Sequence, residues 1–151
     1  MIIMGNSTFQ VKLDKTETSQ IQMITLGGHQ STTVCPPPML GDHPGSTSPH
    51  HLFLASVGSC VNLIFEIALG KARIEVFGLD SEISGDYETD ESTGISRFEA
   101  IKVNTNVTVA EGTNEKKVQR LFEVACSNCP IGNCLVGSCV KLLTELNVKY
   151  Q

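Results

Sequence analysis

The chain has 151 residues, 40% of them hydrophobic, with 11 Lys and Arg against 16 Asp and Glu, a net charge of −5 when His is neutral. That length suits a single domain over residues 1–151, burying about two thirds of the unfolded surface, so no disulfide is needed to hold it together. With no basic cluster to track phosphates, neither nucleic acid nor a membrane is expected as a partner. The first ten residues, MIIMGNSTFQ, carry neither a charged n-region nor a long apolar stretch, so no export signal is read and a cytoplasmic location is expected. There the six cysteines, Cys35, Cys60, Cys126, Cys129, Cys134 and Cys139, are reduced at rest.

In chain order, Phe9, Val11 and Leu13 alternate with polar neighbours, as do Ile21, Met23 and Thr25, and a turn follows at Gly27-Gly28. The two runs read as a strand hairpin. A third short strand is expected over residues 29–34, closed by Pro36-Pro37-Pro38, which cannot join a central ladder. Residues 36–47 are rich in Pro, Gly, Asp, His and Ser and read as a loop.

A helix is predicted over residues 48–72, with Ser48 as N-cap and Pro49 at the first helical position, where a missing N–H costs nothing. From Leu52 to Leu69 nearly every position is apolar or small, so the helix is apolar on several faces and needs cover on all of them. A run of about 18 such residues also meets the lower limit for a bilayer span. Asn62, Glu66, Ser56, Ser59 and the lack of a basic flank before Pro49 argue against a span.

Gly70 is a plausible stop, and Ile74, Val76, Leu79 and Ile83 then form an extended stretch whose period slips near Gly78, as a bulge would cause. The acidic segment 85–96 reads as a hairpin tip. Ile101, Val103, Thr105, Val107 and Val109 alternate with polar residues, the pattern of a strand with one wet face. Thr113 or Asn114 caps a surface helix carrying Val118, Leu121, Phe122 and Ala125 on its apolar stripe. A short helix starts at Cys129-Pro130, and a last strand runs over residues 140–150. Two or three strands, a helix, two strands, two helices and a strand make an α+β fold. A dimer sandwiching two of the apolar helices would cover their open faces.

Three chemistries compete for the cysteines. Cys60 lies about three turns into its helix, beyond the reach of the helix dipole, among apolar neighbours that raise a thiol pKa, as a buried hydrophobe or as a thiol in a slot for an apolar substrate. Cys129, directly before Pro130 at a helix start, is placed to be a thiolate, and it also closes Cys126-Ser127-Asn128-Cys129, a C-x-x-C. Metal is the third, with Cys126, Cys129, Cys134 and Cys139 as four thiolates, although their spacing departs from paired zinc knuckles. His50 and His51 point about 100° apart on one helix and read as cap residues more readily than as ligands. Glu66, if buried, needs Lys71, Arg73 or a second subunit as partner.

The run Gly45-Ser46-Thr47-Ser48-Pro49-His50-His51-Leu52-Phe53, followed by Ser59-Cys60 on an apolar helix, resembles the first motif of the OsmC/Ohr family, osmotically inducible protein C and organic hydroperoxide resistance proteins. Ala125, then Cys129-Pro130-Ile131-Gly132-Asn133 and a final strand, is similar to the second. The resemblance implies an OsmC-like α+β fold around the long helix, an intertwined homodimer, and a thiol peroxidase without bound cofactor or metal. Cys60 would be the peroxidatic thiol, attacking an organic hydroperoxide, and Cys129 the resolving one. A dithiol reductant such as a lipoyl group would reopen their disulfide. Active members also have an Arg from the N-terminal hairpin, whereas the first Arg here is Arg73, and a Glu after the motif Pro, where this chain has His50. Lys12, Lys15 or a His would have to supply the cation. These departures imply weak peroxidase activity, or a thiol or small-ligand carrier on the same scaffold.

Overall fold

The computed structural model describes residues 7–41 and 43–151. Residues 1–6, the start of the stretch read as lacking an export signal, and Asp42 in the 36–47 loop lie outside the described residues. The chain forms two compact units, Met1–Phe53 and Leu54–Gln151.

In the first unit, β1 (Lys12–Lys15), β2 (Gln22–Thr25) and β3 (Ser31–Val34) form an antiparallel sheet in that order. The β2-β3 turn uses left-handed backbone at Gly28 (φ 68°) and His29 (φ 63°), and the Leu26 N–H donates to the Gln30 carbonyl at 2.7 Å. The first strand begins later than the Phe9 alternation predicts. β2 pairs with only four residues, Lys12↔Thr25 being the last pair, so residues 9–11 meet no ladder and Phe9 is 93% exposed. The 36–47 loop contains a 3-10 turn, Pro38–Leu40, and is tied down where Cys35 N–H donates to the Thr47 carbonyl at 2.8 Å. Ser48 then caps α1 (Pro49–Lys71) as expected, its Oγ accepting the His51 N–H at 3.3 Å.

In the second unit, β4 (Val76–Thr89), β5 (Ser96–Val109) and β6 (Lys141–Tyr150) form a sheet in that order, β4-β5 antiparallel and β5-β6 parallel. The parallel pair requires a crossover, which α2 (Glu115–Ser127) and α3 (Pro130–Asn133) provide. The expected slip near Gly78 is present, with a second irregularity at Asp86/Tyr87. The 85–96 segment is more strand than tip, since the ladder continues to Thr89↔Ser96. Edge-to-face rings of Tyr87 and Phe98 (5.4 Å) and the Lys102–Asp86 ion pair (3.0 Å) hold together strands that are polar in sequence. The turn itself occupies residues 90–95, where Asp90 accepts N–H bonds from Ser92 and Thr93.

The buried stripe of α1 is Val57, Gly58, Val61, Phe65 and Leu69. It packs on β4 through Gly58, where an added Cβ would lie 2.3 Å from Ile83 Cγ1, and on α2 through Phe65, whose ring meets Phe122 edge-on at 5.1 Å. Beneath it Ile101, Val103, Thr105, Val107 and Val109 of β5 are all buried, as their alternation predicts. Cover on all faces is not achieved by one chain: Ser56, Ser59, Leu63 and Ile67 are exposed. By length and composition α1 could cross a membrane, yet its buried stripe is spent on protein contacts.

Candidate dithiol site

The second unit brings Cys60 and Cys129 together. Cys60 stands on the third turn of α1, half-buried at the border between the packed stripe and the open face. Cys129 is delivered by the α2-α3 junction: α2 stops at Asn128, and Pro130 starts α3 with Cys129 as its N-cap. The Cys129 sulfur is 0% exposed and accepts the Gly132 N–H at 3.2 Å. Gly132 permits that approach, because a Cβ there would stand 3.4 Å from the sulfur and 3.2 Å from Leu142 Cδ2.

Burial pushes the Cys129 thiol up to about 11, and a hydrogen bond to Cys60 adds to the effect, against the opposing pull of the Gly132 N–H. The sequence expectation of a Cys129 thiolate is therefore overturned. α3 has only four residues and few aligned dipoles, and desolvation of the buried sulfur outweighs them.

The other cysteines do not join this pair. Cys126 is half-buried, pushed up by burial, with the Thr144 hydroxyl pulling the other way. Cys134 and Cys139 are exposed, and Cys35 is buried in the first unit. Among the described residues no three His, Cys, Asp or Glu side chains gather as a metal would require, so the four-thiolate cluster does not form. Glu66 is exposed, facing away from the packed stripe, and needs no buried partner. His51 Nδ1 bonds the Ser48 hydroxyl at 2.6 Å, a cap arrangement, and Lys12 is paired with Asp14 at 3.1 Å.

Two features escaped the sequence reading. Ser81 Oγ donates to Asn62 Oδ1 at 2.7 Å, and the buried Thr105 Oγ1 lies 2.7 Å from Ser81 Oγ. With the Ser81 proton already committed, Thr105 must be the donor, so a one-way hydroxyl chain pins α1 to β4 and β5. An Asn within an otherwise apolar helix was the available signal. The second is a cavity of about 360 Å³ between α1 and α2, lined by Ile64, Ile67, Ala68, Lys71, Val124 and Asn128 among others. Its α1 wall continues the helix face that carries Cys60.

The α+β fold thus places the buried Cys129 thiol against the half-buried Cys60 of α1. The family described as OsmC-like protein matches residues 41–145, and the chain belongs to that family. An OsmC-like protein of unknown function from Vibrio cholerae is similar over 94% of this chain and 100% of its own, at TM-score 0.80 and 17% identity. An OsmC-like protein from Mycoplasma pneumoniae is similar at TM-score 0.80 and 14% identity, covering 96% and 99%. The organic hydroperoxide resistance protein OhrB of Bacillus subtilis is similar at TM-score 0.65 and 23% identity, covering 93% and 98%. No curated protein matches the sequence.

Proposed function

We propose that the protein is a homodimeric thiol peroxidase that reduces organic hydroperoxides through Cys60 and Cys129. The observation that carries this reading is the hydrogen bond between the two thiols, which puts a protonated second sulfur beside the first. Cys60 sulfur, as thiolate, attacks the distal oxygen; the O–O bond breaks, and the alkoxide leaves as alcohol after taking a proton. The Cys60 sulfenic acid is then attacked by Cys129, water departs with the Cys129 proton, and a disulfide remains. An external dithiol takes over that disulfide and restores both thiols. The apolar walls near Cys60 favour an organic over hydrogen peroxide. The similarity to organic hydroperoxide resistance proteins supports the same chemistry.

One equivalent of an organic hydroperoxide should lower the subunit mass by about two units as the disulfide forms. An unchanged mass, with Cys60→Ser indistinguishable from the parent, would refute the reading. A small-ligand carrier is the second reading, favoured by the cavity of about 360 Å³ beside the Cys60 face and by His50 in the place of the family's Glu. An apolar molecule retained through purification supports it.

A further inference from the structure

The peroxidase reading uses only the last residue of the Cys126-Ser127-Asn128-Cys129 motif. In the structure that motif is a closed turn. Ser127 is the last residue of α2, Asn128 has φ −101° and ψ 4°, and the Cys129 N–H donates to the Cys126 carbonyl at 3.4 Å. A helical residue followed by one near φ −90° and ψ 0° is a type I turn, whose first and fourth Cα atoms lie less than about 7 Å apart. A disulfide takes Cα atoms roughly 4.4–6.8 Å apart, so the backbone already brings Cys126 and Cys129 to bridging distance. Their side chains also meet one face of β6. The Cys126 thiol bonds the Thr144 hydroxyl, while the Cys129 sulfur and Leu142 Cδ2 lie 3.4 and 3.2 Å from the point where a Gly132 Cβ would stand. Leu142 and Thr144 are two residues apart on β6, share a face and stand about 7 Å from each other. Gly132 borders both thiols: its N–H donates to the Cys129 sulfur, and with Cys126, Leu142 and Thr144 it lines a cavity of about 590 Å³.

We propose that Cys126 is a third redox residue of the site, which takes Cys129 over from Cys60 by disulfide exchange and returns Cys60 to use before any reductant arrives. This rests on the peroxidase reading. After one peroxide the protein holds the Cys60 to Cys129 bond. Cys126 then gives up its proton and attacks the Cys129 sulfur; the bond to Cys60 breaks, and Cys60 leaves as thiolate. One thiol is oxidised and one restored, with no outside reactant. In the reduced protein Cys126 rests against Thr144, so the step turns its side chain from that hydroxyl toward Cys129, a rotamer change at the end of α2 that leaves the backbone turn as it is. The freed Cys60 attacks a second hydroperoxide, its sulfur becoming a sulfenic acid as the alcohol departs, and that consumption draws the exchange forward. The external dithiol remains the reductant, now of two oxidised centres in place of one.

The test uses the full chain as parent, as Cys126→Ser, as Cys126→Ala and as Cys60→Ser, each reduced and then freed of reductant. One equivalent of cumene hydroperoxide is added, and samples are quenched with acid over a time course, alkylated and mapped by tandem mass spectrometry. The parent should pass from the Cys60 to Cys129 bond to a Cys126 to Cys129 bond with Cys60 alkylated, a transfer read without any substitution. The two Cys126 variants should stop at the first bond, whose formation shows that their site is intact. With excess hydroperoxide the parent should consume about two equivalents per subunit and the Cys126 variants about one. A parent that keeps the first bond as the variants do overturns the exchange, as does a Cys129 to Cys134 bond in place of the expected one. A Cys126 to Cys129 bond that forms as fast in Cys60→Ser also overturns it, because peroxide then oxidises that pair directly. If Cys60 is linked to Cys129 in neither the parent nor the Cys126 variants, the peroxidase reading fails and takes the exchange with it.

Discussion

Cys129 stands beside Cys60, and burial, with the hydrogen bond between the two thiols adding to it, pushes the Cys129 thiol up to about 11. The consequence is a division of labour. A thiol that stays protonated at neutral pH is poorly suited to make the first attack on a peroxide, but it can resolve a sulfenic acid that forms within its reach.

The same shift makes a statement about stability. The ordinary value is 9.0, and the folded value is raised to about 11. Between those pH values the unfolded chain has released the Cys129 proton and the folded chain still holds it, so stability falls as pH rises. Below 9 the contribution is intact. The ceiling on the loss is about 1.4 kcal/mol per pH unit. Urea midpoints measured under reducing conditions across this window should fall in the parent and fall less in Cys129→Ser. Equal slopes in the two proteins would mean that the thiol is not the linked group.

Gly58 is predicted to be irreplaceable in its place on α1. Alanine there gains about 1 kcal/mol of helix propensity, and overpacking costs about 1–3 kcal/mol. The 2.3 Å approach is to Ile83 Cγ1, which is held by a stiff β-branched carbon and is not the free end of the side chain, so the cost should win. A net loss of about 1–2 kcal/mol in equilibrium denaturation is expected. A stabilised Gly58→Ala would show that the helix moves off the sheet without penalty.

Much of this architecture can be read in the residues, and the parts that cannot have physical reasons. The strong signals are caps and alternation: Ser48 before Pro49, Asn114 accepting the Lys117 N–H, and Ile101 to Val109 in strict period two. Pairing length is not such a signal. Phe9 and Val11 alternate as strand residues do, yet β2 is too short to pair with them, and residues 85–89 look like a turn until Phe98 is placed opposite Tyr87. The proximity of Cys60 and Cys129 followed from the family resemblance alone, because no local pattern specifies a contact between residues 69 positions apart. The charge state of Cys129 was misread, because burial depends on packing that a short Cys-Pro signal does not encode.

Thr105 should matter more than its hydroxyl suggests. It donates into the chain through Ser81 to Asn62, inside the sheet and helix core. Thr105→Val keeps the shape but leaves the half-buried Ser81 oxygen without its donor, a loss of about 1–2 kcal/mol. Adding Ser81→Ala moves the orphaned acceptor to Asn62 Oδ1, so the pair should lose less than the sum of the two single losses. Additive losses in this double-mutant cycle would argue that the three groups do not act as one chain.

The open face of α1 sets the last expectation. Leu63 and Ile67 are 58% and 53% exposed, one turn apart on a helix, with small Ser56 and Ser59 on the same side. Fully covering one such side chain is worth about 1.5–3 kcal/mol, and small residues let another helix approach closely. A second copy presenting the same face would gain that amount several times over through two-fold symmetry. Light scattering should therefore give twice the chain mass for the parent. Leu63→Glu buries a carboxylate in the centre of that contact and should give the single-chain mass, with the far-ultraviolet spectrum unchanged because the site is solvent-facing within one chain. A parent that is monomeric at micromolar concentration would leave this face without its proposed cover. A Leu63→Glu protein that remains dimeric would move the contact to another surface.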